Sequence, residues 1–374
     1  YFTYIGLTLA YTVNNVPYSA LMGVMTPSHQ ERTVLSSFRF GGAFLGGVLV
    51  MAFTPDLVAY FGEGDDAQGY QYTFYLYAAL LIALCCITFF TTKERVTVPV
   101  HSQNASNNSE FLKSVLFMCI PLIAMSYFFV QRTLIGGVIF AIVLAITVVV
   151  VRRFINKPTE ETTPSQRDLI DMLRNAPWLM IIGLGLLTMF YNGIRGTTTA
   201  YYFSRVVGDM TLTGTFFFYT LMASVVAALC TGYIAKFTGK KLLFAISLLV
   251  SAAASCGIYF ASPENLTLIF TLGIFAEFFA AFMPVLTFSM LGDAADYSEW
   301  KNGRRATGLL FSAGTFIQKM GNGFAGALVL LVLAAFGYVG TDPVTTESAK
   351  AGIVALMSWI PALFAIAAAA LLIF

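Results

Sequence analysis

The chain has 374 residues, 58% of them hydrophobic and only 11% charged, with mean hydropathy +0.78 and a formal net charge of +2. A soluble domain carries about 25% charged residues, so the composition excludes a soluble enzyme or a nucleic-acid binder and leaves a multi-pass membrane protein. The five cysteines (Cys85, Cys86, Cys119, Cys230 and Cys256) fall in apolar runs without metal-ligand spacing and read as small core residues.

A spanning helix needs about 20 apolar residues. Eleven spans are expected on that count, at 1–25, 33–54, 71–92, 112–130, 134–151, 178–203, 214–235, 242–261, 266–291, 307–335 and 351–374. With residue 1 outside, fifteen of the 21 Lys and Arg lie on the cytoplasmic side, running from Arg32 and Lys93 to Lys301, Arg304 and Arg305. Arg132, Arg205 and Lys350 are left outside, while Arg39, Arg195 and Lys319 fall inside spans. Short basic loops stay in the cytoplasm, which fixes this orientation. The chain starts with Tyr1 and stops at Phe374 inside apolar runs, so a fragment of a longer protein is expected.

In the first span, Asn15 sits about 15 Å from the cytoplasmic end, with Tyr11, Thr12 and Asn14 beside it. Pro17 removes a backbone hydrogen bond close by. The stretch is either a polar site wall or a Pro-kinked packing helix. Ser28-His29-Gln30-Glu31 has the capping-box form, so the second helix should start there and carry Arg39 to about the midplane. Arg39 is either a forked donor to hydroxyls or a carboxylate or an Arg snorkelling to the inner interface.

Polar linkers at 98–110 and 156–174 enclose a tight apolar hairpin at about 111–153, and the break between two domains is expected in this region. Arg195, flanked by glycines, reads as a gate residue or an interfacial anchor. Glu277 and Lys319, on consecutive antiparallel spans, come to the same depth, about 20 Å from the polar hinge at 292–306. An ionisable group at that depth is a functional hypothesis by default. Lys319 either joins a cavity with Thr315, Asn15 and Arg39 or pairs with Glu277. The two histidines, His29 and His101, form no paired-His, Cys-His or nucleophile-elbow arrangement, so no enzyme is expected.

Four motifs in order carry a resemblance. Tyr11-Thr12-Val-Asn-Asn15-Val-Pro17-Tyr18, Glu31-Arg32-Thr-Val-Leu-Ser-Ser-Phe-Arg39, Gly232-Tyr-Ile-Ala-Lys236-Phe-Thr-Gly239-Lys240-Lys241 and Asp293-Ala-Ala-Asp296-Tyr-Ser-Glu299-Trp-Lys-Asn-Gly-Arg304-Arg305 together resemble the glycoside-pentoside-hexuronide:cation symporters of the major facilitator superfamily. The resemblance implies an all-α membrane fold. Residues 1–97 are then the last three helices of an N-terminal six-helix half, 98–174 a linker with an extra hairpin, and 175–374 the C-terminal six-helix half, the first three helices being absent.

It also implies a monomeric sugar or glycoside transporter of the plasma (inner) membrane, coupled to Na+ or H+ and needing no other cofactor. By the same resemblance Tyr11, Asn15, Ser19, Arg39, Thr315 and Lys319 match sugar-site positions, and Thr12 and Lys319 match cation-site positions. Where a well-known member has an Asp gripping sugar hydroxyls, this chain has Asn15, which both donates and accepts but carries no charge. Arg32 and Arg39 on one side of the seam, facing Asp293, Asp296, Glu299 and Arg304 on the other, are expected to hold an inner gate shut, with Glu277 as a further ion-pair member. Two other readings stay open: a facilitator for a lipid-like or other organic solute, and a transport-inactive membrane regulator on the same fold.

Overall fold

The structure is a computed structural model that describes residues 2–93, 95, 120, 134–156, 162, 164–303, 307–340 and 345–373. These form α1 (Phe2–Met25), α2 (His29–Gly62), α3 (Asp66–Thr91), α4 (Leu134–Ile155), α5 (Pro164–Leu173), α6 (Ala176–Tyr202), α7 (Thr211–Thr238), α8 (Lys240–Ile258), α9 (Leu266–Ala280), α10 (Phe282–Asn302), α11 (Thr307–Ala335), α12 (Glu347–Met357) and α13 (Trp359–Leu371), with a π-helical turn at Phe203–Val207 after α6. Among the described residues eight helices are long and apolar enough to cross a membrane, counting α9 with α10 and α12 with α13 as single broken spans. The first hairpin segment, 112–130, lies outside the described residues except Ile120. The second forms α4.

The chain divides into two compact units, one of residues 1–97, 180–293 and 311–374, the other of residues 98–179 and 294–310. In the first, α2 packs along α7 and against α3, α8 packs on α9 and α13, and α7 also meets α9. Small residues allow the close approaches. A Cβ on Gly69 would lie 2.3 Å from the Val58 carbonyl oxygen, and one on Gly41 would lie 2.7 Å from the Leu229 side chain. Because backbone blocks the first, Gly69→Ala is expected to destabilise the α2–α3 packing by about 1–3 kcal/mol. The melting temperature of the purified protein checks this, and an unchanged value would show that α2 and α3 separate freely.

The core of this unit has two clusters. Tyr191, Phe244, Leu248, Phe282, Met283 and Leu286 form one, with Ala362, Ala365 and Ala368 of α13. Phe203, Phe216, Ile258, Ile269, Val329 and Met357 centre the other. Half of the expected capping box is present: α2 starts at His29 and the Ser28 side chain accepts from the Glu31 N–H, while the Ser28 N–H donates to Thr26 Oγ1 and the Thr26 hydroxyl donates to the Glu31 carboxylate. α3 is capped by Asp65, whose carboxylate accepts from the N–H groups of Ala67 and Gln68. In the turn before α7, Asp209 accepts from the N–H and hydroxyl of Thr211, and these bonds hold its carboxyl below the usual carboxylate range.

Three spans in this unit depart from simple helices. α9 gives way to α10 at Ala281, just before Pro284, which has no N–H to offer the carbonyl four residues back. α12 and α13 break at Ser358 (φ −113°, ψ −93°), three residues ahead of Pro361. α6 ends in its π turn, stopped by Gly208 at φ 88°. Apolar runs give no sign of these breaks, so the expected spans at 266–291 and 351–374 were drawn as continuous.

In the second unit, Arg174 Nη2 donates to the Ile155 carbonyl at 2.5 Å. Asn175 donates to the Ala294 carbonyl at 3.0 Å and accepts from the Trp178 N–H at 3.0 Å. Tyr297 stacks obliquely on Trp300 and lies under the Lys301 ammonium. The expected hinge at 292–306 is corrected here. α10 stays helical through Asn302 and stops at Gly303 (φ 67°), because Ala294, Ala295 and Glu299 are helix formers and the first residue that favours a left-handed turn is that glycine.

Candidate transport site

α1 presents Tyr11 and Thr12, then Asn15, then Ser19, at the four-residue spacing that lines one helix face. Lys319 of α11 reaches this face. Its Nζ donates to Thr12 Oγ1 at 2.5 Å and lies 4.5 Å from the centre of the Tyr11 ring. One turn or two further along α1, Arg39 of α2 donates from Nη2 to Ser19 Oγ at 2.7 Å, while Ser19 donates to the Asn15 carbonyl at 2.7 Å. The Arg39 guanidinium packs against the rings of Phe288 (4.7 Å), Tyr18 (5.0 Å) and Phe40 (5.5 Å). Its Nη1 is buried with no hydrogen-bond partner among the described residues. A half-buried guanidinium with an aromatic bed and an unused donor is suited to a hydroxyl or carboxylate.

Of the expected site residues, Tyr11, Thr12 and Lys319 therefore meet, and so do Ser19 and Arg39, with Asn15 joined through its backbone. Thr315 does not join them. It is buried, and its hydroxyl donates to the Phe311 carbonyl at 3.0 Å.

The alternative of a Lys319–Glu277 pair is corrected by the geometry. Glu277 of α9 pairs with Arg195 of α6 at 3.1 Å. Arg195 also donates to the Tyr191 hydroxyl at 3.1 Å, and that hydroxyl meets Ser255 Oγ at 2.8 Å and the Ser251 carbonyl at 3.1 Å. Arg195 is thus neither an interfacial anchor nor an exposed gate. It is 4% exposed, the centre of a polar network joining α6, α8 and α9.

Near the N-terminus of α2 a ladder of contacts runs between α2 and the antiparallel α10. Ser36 Oγ donates to the Val285 carbonyl at 2.7 Å, Thr33 Oγ1 meets Ser289 Oγ at 2.8 Å, and the last rung is Asp293. Its Oδ1 lies 2.7 Å from His29 Nδ1 and 3.8 Å from Arg32 Nη1, and its Oδ2 accepts from Lys240 Nζ at 2.6 Å. Arg32 is 1% exposed and donates to the carbonyls of Thr26 (3.1 Å) and Pro27 (3.0 Å). A Cβ on Gly292 would lie 3.0 Å from its Cδ, so the glycine makes room for this side chain. His29 and Lys240 were not among the expected ion-pair residues, since nothing in the spacing ties them to a residue 264 or 53 positions away. Asp296 and Glu299 belong to the second unit, and Arg304 lies outside the described residues.

A model of the family described as "MFS/sugar transport protein" matches residues 1–144 and 111–374. The isoprimeverose transporter of Lactiplantibacillus pentosus is 26% identical over 378 residues, covering 100% of this chain and 66% of that protein. The putative glycoside/cation symporter YagG of Escherichia coli K12 is 27% identical, covering 91% of this chain and 62% of its own length. The inner membrane symporter YicJ of the same organism is 26% identical, covering 96% and 65%. The chain spans slightly less than two thirds of the length of these relatives. With helices that fit a membrane and a family match along nearly its whole length, the chain is a multi-pass, all-α membrane protein that belongs to the MFS/sugar transport protein family, a family of transporters and not of enzymes.

Proposed function

We propose that this chain is part of a secondary active transporter of the plasma (inner) membrane that moves a sugar or glycoside together with a cation by alternating access. The observation that carries the reading is the contact of Lys319 on α11 with Thr12 and Tyr11 on α1, beside the unused guanidinium donor of Arg39 on α2. Polar groups at mid-span mark substrate and ion pathways. Tyr11, Asn15, Ser19, Arg39 and Lys319 then form the sugar-facing wall, with Thr315 behind it on α11.

Thr12 supplies a hydroxyl oxygen suited to a small cation, and the Lys319 ammonium already rests on that oxygen. A coupling ion and Lys319 therefore compete for one acceptor. In this reading the halves are 1–97 and 175–374, joined by a linker that carries the extra hairpin at about 111–153, and the transporter works as a monomer. Sodium and protons are the two candidate ions, and the names of the relatives above support a glycoside as cargo.

The test is binding and uptake by the full-length protein of methyl α- and β-glycosides of xylose, glucose and galactose, with and without sodium and at two pH values. Binding that strengthens with one cation is expected, and failure of every glycoside in every condition overturns the reading. Orientation is checked separately. A Cys placed at Asp65 is expected to react with a membrane-impermeant thiol reagent added outside, and one at Thr238 is not. The reverse labelling would invert the topology.

A further inference from the structure

Glu277 is a carboxylate about 16 Å inside its span, and the seam contacts described above leave it unused. It makes an ion pair with Arg195 through Oε2, its side chain is 32% exposed, and that side chain makes no other hydrogen bond or ion pair among the described residues, so Oε1 is open. The direction of that exposure can be read from α9 itself. Ile269, Gly273, Ala276 and Ala280 are its buried stripe, while Leu268, Thr271 and Phe275 are exposed. At about 100° per residue, Glu277 stands roughly 150° around the helix from the exposed stripe. Its open edge thus turns away from the side suited to lipid.

A charged group inside a span faces protein or a water-filled cavity, so that edge faces the interior of the helix bundle. Arg195 fixes the carboxylate from behind, and is itself fixed by Tyr191, whose ring it overlies at 5.3 Å and whose hydroxyl is held by Ser251 and Ser255. Two buried atoms on this part of α6, Arg195 Nε and Asn192 Oδ1, have no hydrogen-bond partner among the described residues. A pair built only to hold helices together leaves fewer polar groups unsatisfied.

We infer that Glu277, aimed by Arg195, belongs to the substrate-binding surface and accepts hydrogen bonds from sugar hydroxyls through Oε1. This inference rests on the sugar-transport reading above. Arg195 is a positioning residue that holds the carboxylate in its orientation.

The experiment uses the full-length protein and the methyl glycoside that the wild type binds best, together with the monodeoxy analogues of that glycoside. Glu277→Gln keeps the volume and an acceptor for Arg195 but removes the charge. The parent glycoside is expected to bind about 10- to 100-fold more weakly, as for loss of a hydrogen bond to a charged group. One deoxy analogue, lacking the hydroxyl that Glu277 receives, is expected to bind the variant and the wild type equally. A helix-holding role weakens every analogue alike, and that result overturns the inference. Wild-type binding that Glu277→Gln leaves unchanged also overturns it while the transport reading stands. No binding by the wild type removes both. Should the Gln variant fail to fold, Glu277→Asp, which keeps the charge and withdraws it by one methylene, gives the same comparison.

Discussion

Replacing Lys319 with Met is expected to lower cation-coupled uptake by about 100-fold and to leave the fold standing. The Nζ donates to Thr12 Oγ1 and lies over the Tyr11 ring, so among the described residues its electrostatic partners are a hydroxyl and a ring face and not a carboxylate. Removing a cation with no buried anion opposite leaves no stranded charge, and removal of one partner of a buried pair is what makes such substitutions severely destabilising. A hydrogen bond to a charged group contributes about 1.5–3 kcal/mol, and a loss near 3 kcal/mol is about two decades in an equilibrium.

The same substitution vacates the acceptor for which a coupling ion competes, so the residual uptake is expected to lose its dependence on the sodium or proton gradient. Uptake into proteoliposomes with and without the gradient, and the melting temperature of the variant, measure the two halves of this expectation. Because Glu277 pairs with Arg195 and not with Lys319, the stability effects of Lys319→Met and Glu277→Gln should add to within about 0.5 kcal/mol. Strong coupling between them would show that the two side chains meet in the working protein, and gradient-driven uptake by Lys319→Met at the wild-type rate would remove Lys319 from the mechanism.

The spans were legible in the sequence because hydrophobicity over about 20 residues marks them. The start of α2 was legible too, since Ser28 and Glu31 carry the local chemistry of a cap. Azimuth was not. Counting residues placed Glu277 and Lys319 at one height and suggested that they pair, but height says nothing about which side of a helix a group occupies. The packing of α6 turns Arg195 to Glu277 instead, and the Gly193 site, where a Cβ would lie 2.6 Å from Ala325 Cβ, shows how closely α6 and α11 approach beside it. The helix through Asn302 was misread for a different reason. Charged residues ordinarily mark the end of a span, but Asp293 has basic partners on α2 and α8 and no need of a loop.

Asp293→Asn is expected to shift the protein towards the state open to the cytoplasm. The native carboxylate lies against Arg32, Lys240 and His29, so several basic groups share this anion, and the variant takes its charge from among them. Arg32 is 1% exposed, and its bonds to the Thr26 and Pro27 carbonyls orient a guanidinium but do not neutralise it. Breaking a fully buried pair costs about 3–5 kcal/mol. Asp293 is 31% exposed and Lys240 19%, so solvent screening brings the expected effect down to about 1–3 kcal/mol. Each 1.4 kcal/mol is tenfold, giving a shift of roughly 5- to 150-fold in the ratio of the two states.

The strain is relieved where the ladder is weakest. Thr33–Ser289 and Ser36–Val285 are neutral hydrogen bonds at the next two rungs, and neutral bonds exchange readily with water. Ser289 is fully buried in the closed ladder, so a Cys at that position reports its opening. With Ser289→Cys as the background, Asp293→Asn is expected to raise the rate of alkylation by a permeant thiol reagent at least fivefold, and saturating glycoside is expected to change that rate. An alkylation rate equal to that of the Ser289→Cys parent would show that Asp293 holds no gate.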